Sequence, residues 1–210
     1  MEQTPQKQIA YERERIVVEK IADGLGYGIE KGIEDTVIYL RLLGFTTSMS
    51  CAGHSGNLED LQLPYVEISV SSKPEEKYVG EAEFKESLVK KYKLELWRDI
   101  FDGGKIEEEY NLWLESIGYE KTLEYKTWEE KIPAEFSKIE DVLMEYTSIG
   151  DSPKIVFKDG RILPDLLSGD DLLTSLGKEM ALRNLQELVK EAQLEFQKFT
   201  EFLKQKYYAE

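Results

Sequence analysis

The sequence predicts an α+β fold, in which a small mixed or antiparallel sheet is covered by several long helices and the chain ends in a long C-terminal helix. Three observations predict it. Apolar residues recur at helical spacing over most of the chain. FTTSMSC and YVEISV instead alternate with period two, as half-buried strands do. Asp159-Gly160 lies between KIVFK and RIL, and this dipeptide is a strong hairpin-turn signal.

Two helices are predicted before the first strand. The first spans 10–22 and ends at the glycine-rich stretch DGLGYGIEKG. Its inner face is predicted to carry Ile16, Val17, Lys20 and Ile21. The second spans 33–43, with Ile33, Val37, Leu40 and Leu43 at helical spacing. Gly44 follows it at the position where a left-handed residue often ends a helix.

The strands at 45–51 and 65–70 are expected to present one apolar and one polar face. In the first, Phe45, Thr47, Met49 and Cys51 alternate with Thr46, Ser48 and Ser50. In the second, Tyr65, Glu67 and Ser69 lie opposite the apolar set Val66, Ile68 and Val70. If the strands pair, their polar residues form a wall of hydroxyls with one carboxylate. A polar face exposed to solvent would give the same pattern.

The rest of the chain is mostly helical by pattern. We predict a single domain over 1–210, with a helical subregion at 75–150 that holds all three tryptophans. The 154–163 hairpin follows, and the last helix is predicted at about 171–207. Its apolar residues step three and four apart: Leu182, Leu185, Val189, Ala192, Phe196, Phe199 and Leu203. This seam packs either on the protein's own helices, where we expect those at 94–128, or on a second copy in a homodimer.

Charge and composition limit the partners. Asp and Glu number 42 against 27 Lys and Arg, so the net charge is −15. Such a surface repels phosphate backbones, which disfavours nucleic acid as a partner. The N-terminus lacks the apolar core of a signal peptide, and no long apolar run predicts a membrane span. We therefore expect a soluble, cytoplasmic protein.

The stretch SCAGHSG holds the only cysteine and the only histidine of the chain, Cys51 and His54. It follows a predicted strand, where loops often carry functional residues. We predict a site with Cys51, His54 and Glu67 as catalytic candidates. The candidate ligand-binding residues are Thr47, Ser48, Ser50, Gly53, Ser55 and Tyr65. The Cys51 sulfur and the His54 ring should lie within about 8 Å of each other, with Glu67 on the neighbouring strand.

Three chemical interpretations of this loop are open, beside a purely structural one. Cys51, His54 and Glu67 could ligate a metal, with Glu59 and Asp60 as further carboxylates; too few soft ligands exist for a closed structural zinc site. Alternatively, His54 could lower the pKa of a nucleophilic Cys51. In the third, the loop amides, with Ser50, Ser55 and His54 as donors, could hold an anion. The structural alternative is a buried cysteine beside a turn-capping histidine.

GFTTSMSCAGH followed by PYVEI resembles a bacterial protein family that carries a T-S-x-S-C-x-G-H motif and then a Pro-aromatic-Val-acidic-Ile strand. The ending FTEFLKQKYY is similar to that family's last helix. The resemblance implies that the loop and Glu67 belong together, but it implies no reaction. This chain departs from the pattern at Ala52, where the family has an acidic residue. A shorter stretch, TTSMSCAG, is similar to the wybutosine-synthesis tRNA methyltransferase family.

Two functions therefore stay open from the sequence. The first is a ligand-binding or enzymatic domain with its site at Ser50, Cys51, His54 and Glu67, acting on a small-molecule or anionic ligand; the sequence specifies no cofactor. The second is a non-catalytic interaction protein with an acidic surface, oligomeric through its C-terminal helix. A binder or enzyme should place Cys51 and His54 at a concave pocket.

Overall fold

The computed structural model confirms an α+β fold. It describes residues 5–21, 28–54, 62–70, 73–94, 104–149, 155–165 and 178–209, with the side chains of the last helix from 186 onward. The described helices are α1 (Pro5–Val18), α2 (Lys31–Leu42), α3 (Glu81–Tyr92), α4 (Lys105–Ser116), α5 (Leu123–Glu129), α6 (Ile132–Ile149) and α7 (Lys178–Ala209). The strands are β1 (Thr46–Cys51), β2 (Tyr65–Ser69), β3 (Ile155–Lys158) and β4 (Arg161–Pro164).

The four described strands form one antiparallel sheet in the order β1-β2-β4-β3. The predicted hairpin is present, and both Asp159 (φ 51°) and Gly160 (φ 79°) have the positive φ of a type I′ turn. Along β1, a bulge shifts the register between Thr47 and Met49. As a result Ser48 and Met49 are both exposed, so the strict alternation predicted for this strand is wrong at that point.

The chain divides into two compact units. One comprises residues 1–69 and 134–210, and the other comprises 70–133. The predicted helical subregion at 75–150 is thus shared between them, since most of α6 belongs with the sheet. That the whole chain folds as one domain stays a prediction. None of the helices in the described ranges is long and apolar enough to cross a membrane.

The core of the first unit lies between the sheet and helices α1, α2, α6 and α7. On α2 the predicted residues Ile33, Val37 and Leu40 are buried. The predicted inner face of the first helix is wrong at Ile16, Val17 and Lys20, which are exposed, and right at Ile21, which packs against the core; Val18 is buried as well. The helix begins at Pro5, earlier than predicted, and it buries the stripe that runs through Tyr11 and Val18.

The apolar seam of α7 is covered within the chain. From Val189 to Leu203, every residue of the predicted seam is buried. Phe196 and Phe199 belong to the core of the first unit, and Phe199 meets Tyr146 of α6 edge-on. The seam therefore packs on α2, α6 and the sheet, and the expected contact with helices at 94–128 is wrong. Leu182 and Leu185 lie outside the residues whose side chains are described.

The second unit has its own small core, in which Leu88, Tyr110 and Leu114 are buried. A buried carboxylate, Glu81, organises the start of α3. It accepts hydrogen bonds from the backbone N–H groups of Lys77 (2.9 Å) and Tyr78 (3.1 Å) and from the hydroxyl of Tyr110 (2.6 Å). Lys85 Nζ lies 2.7 Å from it. Burial alone would raise the pKa of Glu81, but these hydrogen bonds outweigh burial and lower the pKa to about 2.

The first prediction concerns the seam of α7. Phe196 is 2 % exposed, so Phe196→Asp places an uncompensated charge in the core and should lower the free energy of unfolding by about 3 kcal/mol or more. Leu194→Asp on the same helix, at a position 56 % exposed, should change it by less than about 0.5 kcal/mol. Chemical denaturation with light scattering measures both. An unchanged free energy of unfolding with a halved mass would show instead that the seam serves a dimer.

The second prediction concerns Glu81. The pKa of Glu81 is lower in the folded protein than its ordinary value. Ionised Glu81 therefore stabilises the second unit at any pH above that ordinary pKa, and this contribution is lost as the pH falls toward about 2. Glu81→Gln should therefore destabilise the unit near neutral pH by on the order of 3 kcal/mol and flatten its acid transition. Glu83→Gln, an exposed neighbour in the same helical turn, is the control. Tryptophan fluorescence against pH follows the transition, and equal acid sensitivity of both variants would contradict the assignment.

Candidate functional site

The predicted loop site lies at the end of β1, and Cys51 and His54 meet there. Cys51 is 5 % exposed, whereas His54 is exposed. A third residue, Glu30, joins them from the position before α2. The Cys51 sulfur, a His54 ring nitrogen and a Glu30 carboxylate oxygen all lie within 4.8 Å of one another. The predicted proximity of Cys51 and His54 is confirmed.

Local hydrogen bonds fix the turn that carries these residues. His54 donates its backbone N–H to the carbonyl of Gln62 (2.8 Å) and accepts the N–H of Gln62 (3.0 Å). This pair ties the turn to the segment that leads into β2. From α7, the side-chain amide of Gln193 donates to the carbonyls of Ala52 (3.1 Å) and Gly53 (3.0 Å). The turn is thereby held by both its own sheet and the C-terminal helix.

Glu30 is oriented by two of its neighbours. One carboxylate oxygen accepts the backbone N–H of Ala52 at 2.6 Å. The other lies 3.1 Å from Nε2 of His54. The sequence analysis missed Glu30 because it precedes a helix 21 residues before Cys51 and follows no spacing motif. An acidic residue is favoured near the start of a helix, which gives a reason for Glu30 at this position. It does not indicate that Glu30 lies beside the turn with Cys51 and His54.

Glu67 does not join this group of described residues. It lies on β2, opposite Met49, as its predicted strand position requires. Its carboxylate accepts a hydrogen bond from Ser48 (2.8 Å) and pairs with Arg161 (3.2 Å). The structure thus places Glu30, and not Glu67, beside Cys51 and His54: Glu67 contacts Ser48 and Arg161, while Glu30 reaches the turn from the position before α2.

A cavity of about 470 Å³ opens beside Cys51 and His54. This volume lies in the range found for small-molecule binding sites. The predicted ligand-binding residues Thr47, Ser48, Ser50 and Tyr65 line it, together with Gln62, which the sequence analysis missed. Gly53 contributes backbone to the turn, and Ser55, Glu59 and Asp60 lie outside the described residues. Apolar side chains complete the described lining: Ile21, Ile29, Val37 and Met49.

The geometry disfavours a nucleophilic cysteine. Burial raises the pKa of the Cys51 thiol, and the negative charge of Glu30 raises it further. The N–H of Gly53, 3.3 Å from the sulfur, acts in the opposite direction without reversing the net shift. The net rise of this pKa disfavours the alternative in which His54 activates Cys51 as a nucleophile. Near neutral pH the group is a thiol, unless a metal displaces its proton.

An anion cradle in the described part of the loop is also disfavoured. The N–H of Ala52 donates to Glu30, that of Gly53 to the Cys51 sulfur and that of His54 to Gln62. These three amides are already used within the protein. The carboxylate of Glu30 also occupies the position beside Ala52 where an anion would bind.

The third prediction tests the turn itself. Gly53 has φ +86°, and an added Cβ would lie 2.8 Å from Cδ of Pro64. Gly53→Ala should therefore destabilise the protein by about 2 kcal/mol or more, from backbone strain and this clash. Gly44→Ala is the matched control, since Gly44 also has positive φ (+91°) but open space around the added Cβ. It should cost less in the same thermal-unfolding measurement; an equal loss would indicate that strain alone matters.

The chain matches no protein-family model, no curated protein and no solved structure. The two resemblances drawn from the T-S-x-S-C-x-G-H and TTSMSCAG stretches therefore stay predictions. The function of the site has to be argued from its own geometry.

Proposed function

We propose that the chain binds a divalent transition-metal ion, of which zinc is the type, through Glu30, Cys51 and His54, and that this ion serves a ligand-binding or enzymatic role in the adjoining cavity. The observation that carries the proposal is the convergence of three different ligand atoms within 4.8 Å. Two of the three belong to the only cysteine and the only histidine of the chain.

The donor set suits zinc and similar ions. Thiolate sulfur, imidazole nitrogen and carboxylate oxygen are the three side-chain ligands of zinc in proteins. Tetrahedral zinc with nitrogen and oxygen ligands at about 2.0–2.1 Å places those two atoms about 3.3 Å apart. The measured separation of His54 Nε2 and Glu30 Oε1 is 3.1 Å. This pair therefore needs only a small adjustment to share an ion.

Neighbouring hydrogen bonds hold the ligands in place, as the second coordination shell of a metal site does. The N–H of Ala52 fixes one oxygen of Glu30 and leaves the other oxygen on the side of His54. The N–H of Gly53 donates to the Cys51 sulfur, an interaction that favours thiolate over thiol. Gln193 fixes the carbonyls of the same turn. All three contacts support a preorganised site.

Three protein ligands suit an open site. Structural zinc is usually held by four protein ligands, whereas catalytic zinc has three and an exchangeable fourth position. Cys51, His54 and Glu30 all line the cavity, so an exchangeable ligand could reach the ion from there. This arrangement favours a ligand-binding or enzymatic domain over an interaction protein. The buried seam of α7 also removes the sequence argument for a dimer through that helix.

The fourth prediction is metal binding by this group. The protein should bind one Co²⁺ or Zn²⁺ per chain, and Co²⁺ should give the ultraviolet charge-transfer absorption of a cobalt–thiolate bond. Cys51→Ser, His54→Gln and Glu30→Gln should each weaken binding by about 100-fold or more, and the first should abolish that absorption. Isothermal titration calorimetry and absorption spectroscopy measure the two effects.

Glu67→Gln is the matched control, because it removes the same charge from a carboxylate that contacts Ser48 and Arg161 instead. It should keep wild-type affinity. Since burial raises the pKa of the Cys51 thiol, a metal must displace its proton, and affinity should rise about tenfold per pH unit below that pKa. Binding that survives in Cys51→Ser, or is lost equally in Glu67→Gln, would refute the proposal.

A further inference from the structure

The described lining of the cavity beside Cys51 and His54 contains one carboxylate and no lysine or arginine. We propose that the exogenous ligand of this site is a neutral molecule that offers an oxygen or nitrogen donor to the ion, such as a carbonyl, an amide or a nitrogen heterocycle, and not an anion. This inference rests on the proposed metal site. It names the class of molecule that such a site would accept.

The charge of the proposed metal centre disfavours an anionic ligand. A divalent ion bound by the Cys51 thiolate, the Glu30 carboxylate and a neutral His54 has no net charge. An added anion would make the centre negative, whereas a neutral donor leaves it uncharged. Because a cavity shields charges less than bulk water does, this difference matters more there than at the surface.

The described lining of the cavity offers no positive charge to an anion. Among its described residues there is neither a lysine nor an arginine, and Glu30 is the one carboxylate. The net chain charge of −15 also disfavours an anionic ligand at long range.

Arg161, which contacts Tyr65 of the lining, is already paired with an acidic residue. The guanidinium of Arg161 stacks on the ring of Tyr65, 4.9 Å from its centroid. The same group lies 3.2 Å from the carboxylate of Glu67, which neutralises it. Arg161 therefore does not supply the charge that an anionic ligand would need.

The lining offers hydrogen bonds without charge. Hydroxyls and one amide face the cavity together with apolar side chains; the polar residues are Thr47, Ser48, Ser50, Gln62 and Tyr65. Such a combination binds polar uncharged groups, because each group can donate or accept while the rest of the ligand is buried on apolar surface. At about 470 Å³, the cavity suits a molecule of metabolite size.

Imidazole and azide test the inference on the Co²⁺-loaded protein. Both are small nitrogen donors, but near pH 8 imidazole is neutral and azide carries a negative charge. Each is titrated while the visible absorption of Co²⁺ is recorded at constant ionic strength. We expect imidazole to bind with a dissociation constant at least about tenfold lower than that of azide. Equal or tighter binding of azide, or no spectral change with either probe, would overturn the inference.

A pair of variants at Met49 shows whether charge is the cause. Met49 lines the cavity yet is 54 % exposed, so a lysine there can be accommodated on the surface. Compared with Met49→Gln, which changes the same side chain without adding a charge, Met49→Lys should lower the dissociation constant of azide severalfold relative to that of imidazole. Strengthened azide binding in both variants, or in neither, would contradict the electrostatic argument.

The cobalt spectrum separates the two proposals. If Co²⁺ fails to produce a thiolate absorption that depends on Cys51, the metal site itself is refuted. If the absorption is present and azide binds as tightly as imidazole, the metal site stands and the neutral-ligand inference fails.

Discussion

The packing of α7 on α2 and the sheet is the constraint on which the first unit depends. Phe196, Phe199 and Leu203 are buried there, and each large side chain contributes about 1.5–3 kcal/mol when it leaves water. Thr36 of α2 and Thr200 of α7 share a hydrogen bond of 2.6 Å within the same contact. This packing fixes the position of α2, and with it Glu30, the residue just before that helix.

The same helix acts on the site through a second contact. Gln193, one residue after the buried Ala192, reaches the carbonyls of Ala52 and Gly53. The turn at 51–54 is therefore held between the sheet, α2 and α7. Its partners on these helices, Glu30 and Gln193, are distant from it in sequence. A rigid surround of this kind is what a metal or ligand site needs, because ligand atoms must keep their geometry before the ion arrives.

Glu30 has two roles that follow from one geometry. Its carboxylate accepts the N–H of Ala52 and lies beside His54, so both of its oxygens have polar neighbours. In the proposed metal site, the oxygen beside His54 would be the ligand, and the other oxygen is the one that accepts the N–H of Ala52. Holding Glu30 in this position therefore costs little free energy, because its carboxylate already has hydrogen-bond and ion-pair partners in the folded chain.

The sequence by itself determined the α+β class, the two central strands, the Asp159-Gly160 hairpin and the closeness of Cys51 to His54. These features follow from local periodicity, turn chemistry and a separation of three residues. Only the tertiary structure decided that Glu30 and not Glu67 lies beside Cys51 and His54, and that the seam of α7 packs within the first unit, with Phe199 against Tyr146 of α6. Both depend on contacts between residues distant in sequence, and a bulge at Ser48 breaks the alternation from which side-chain direction would be read.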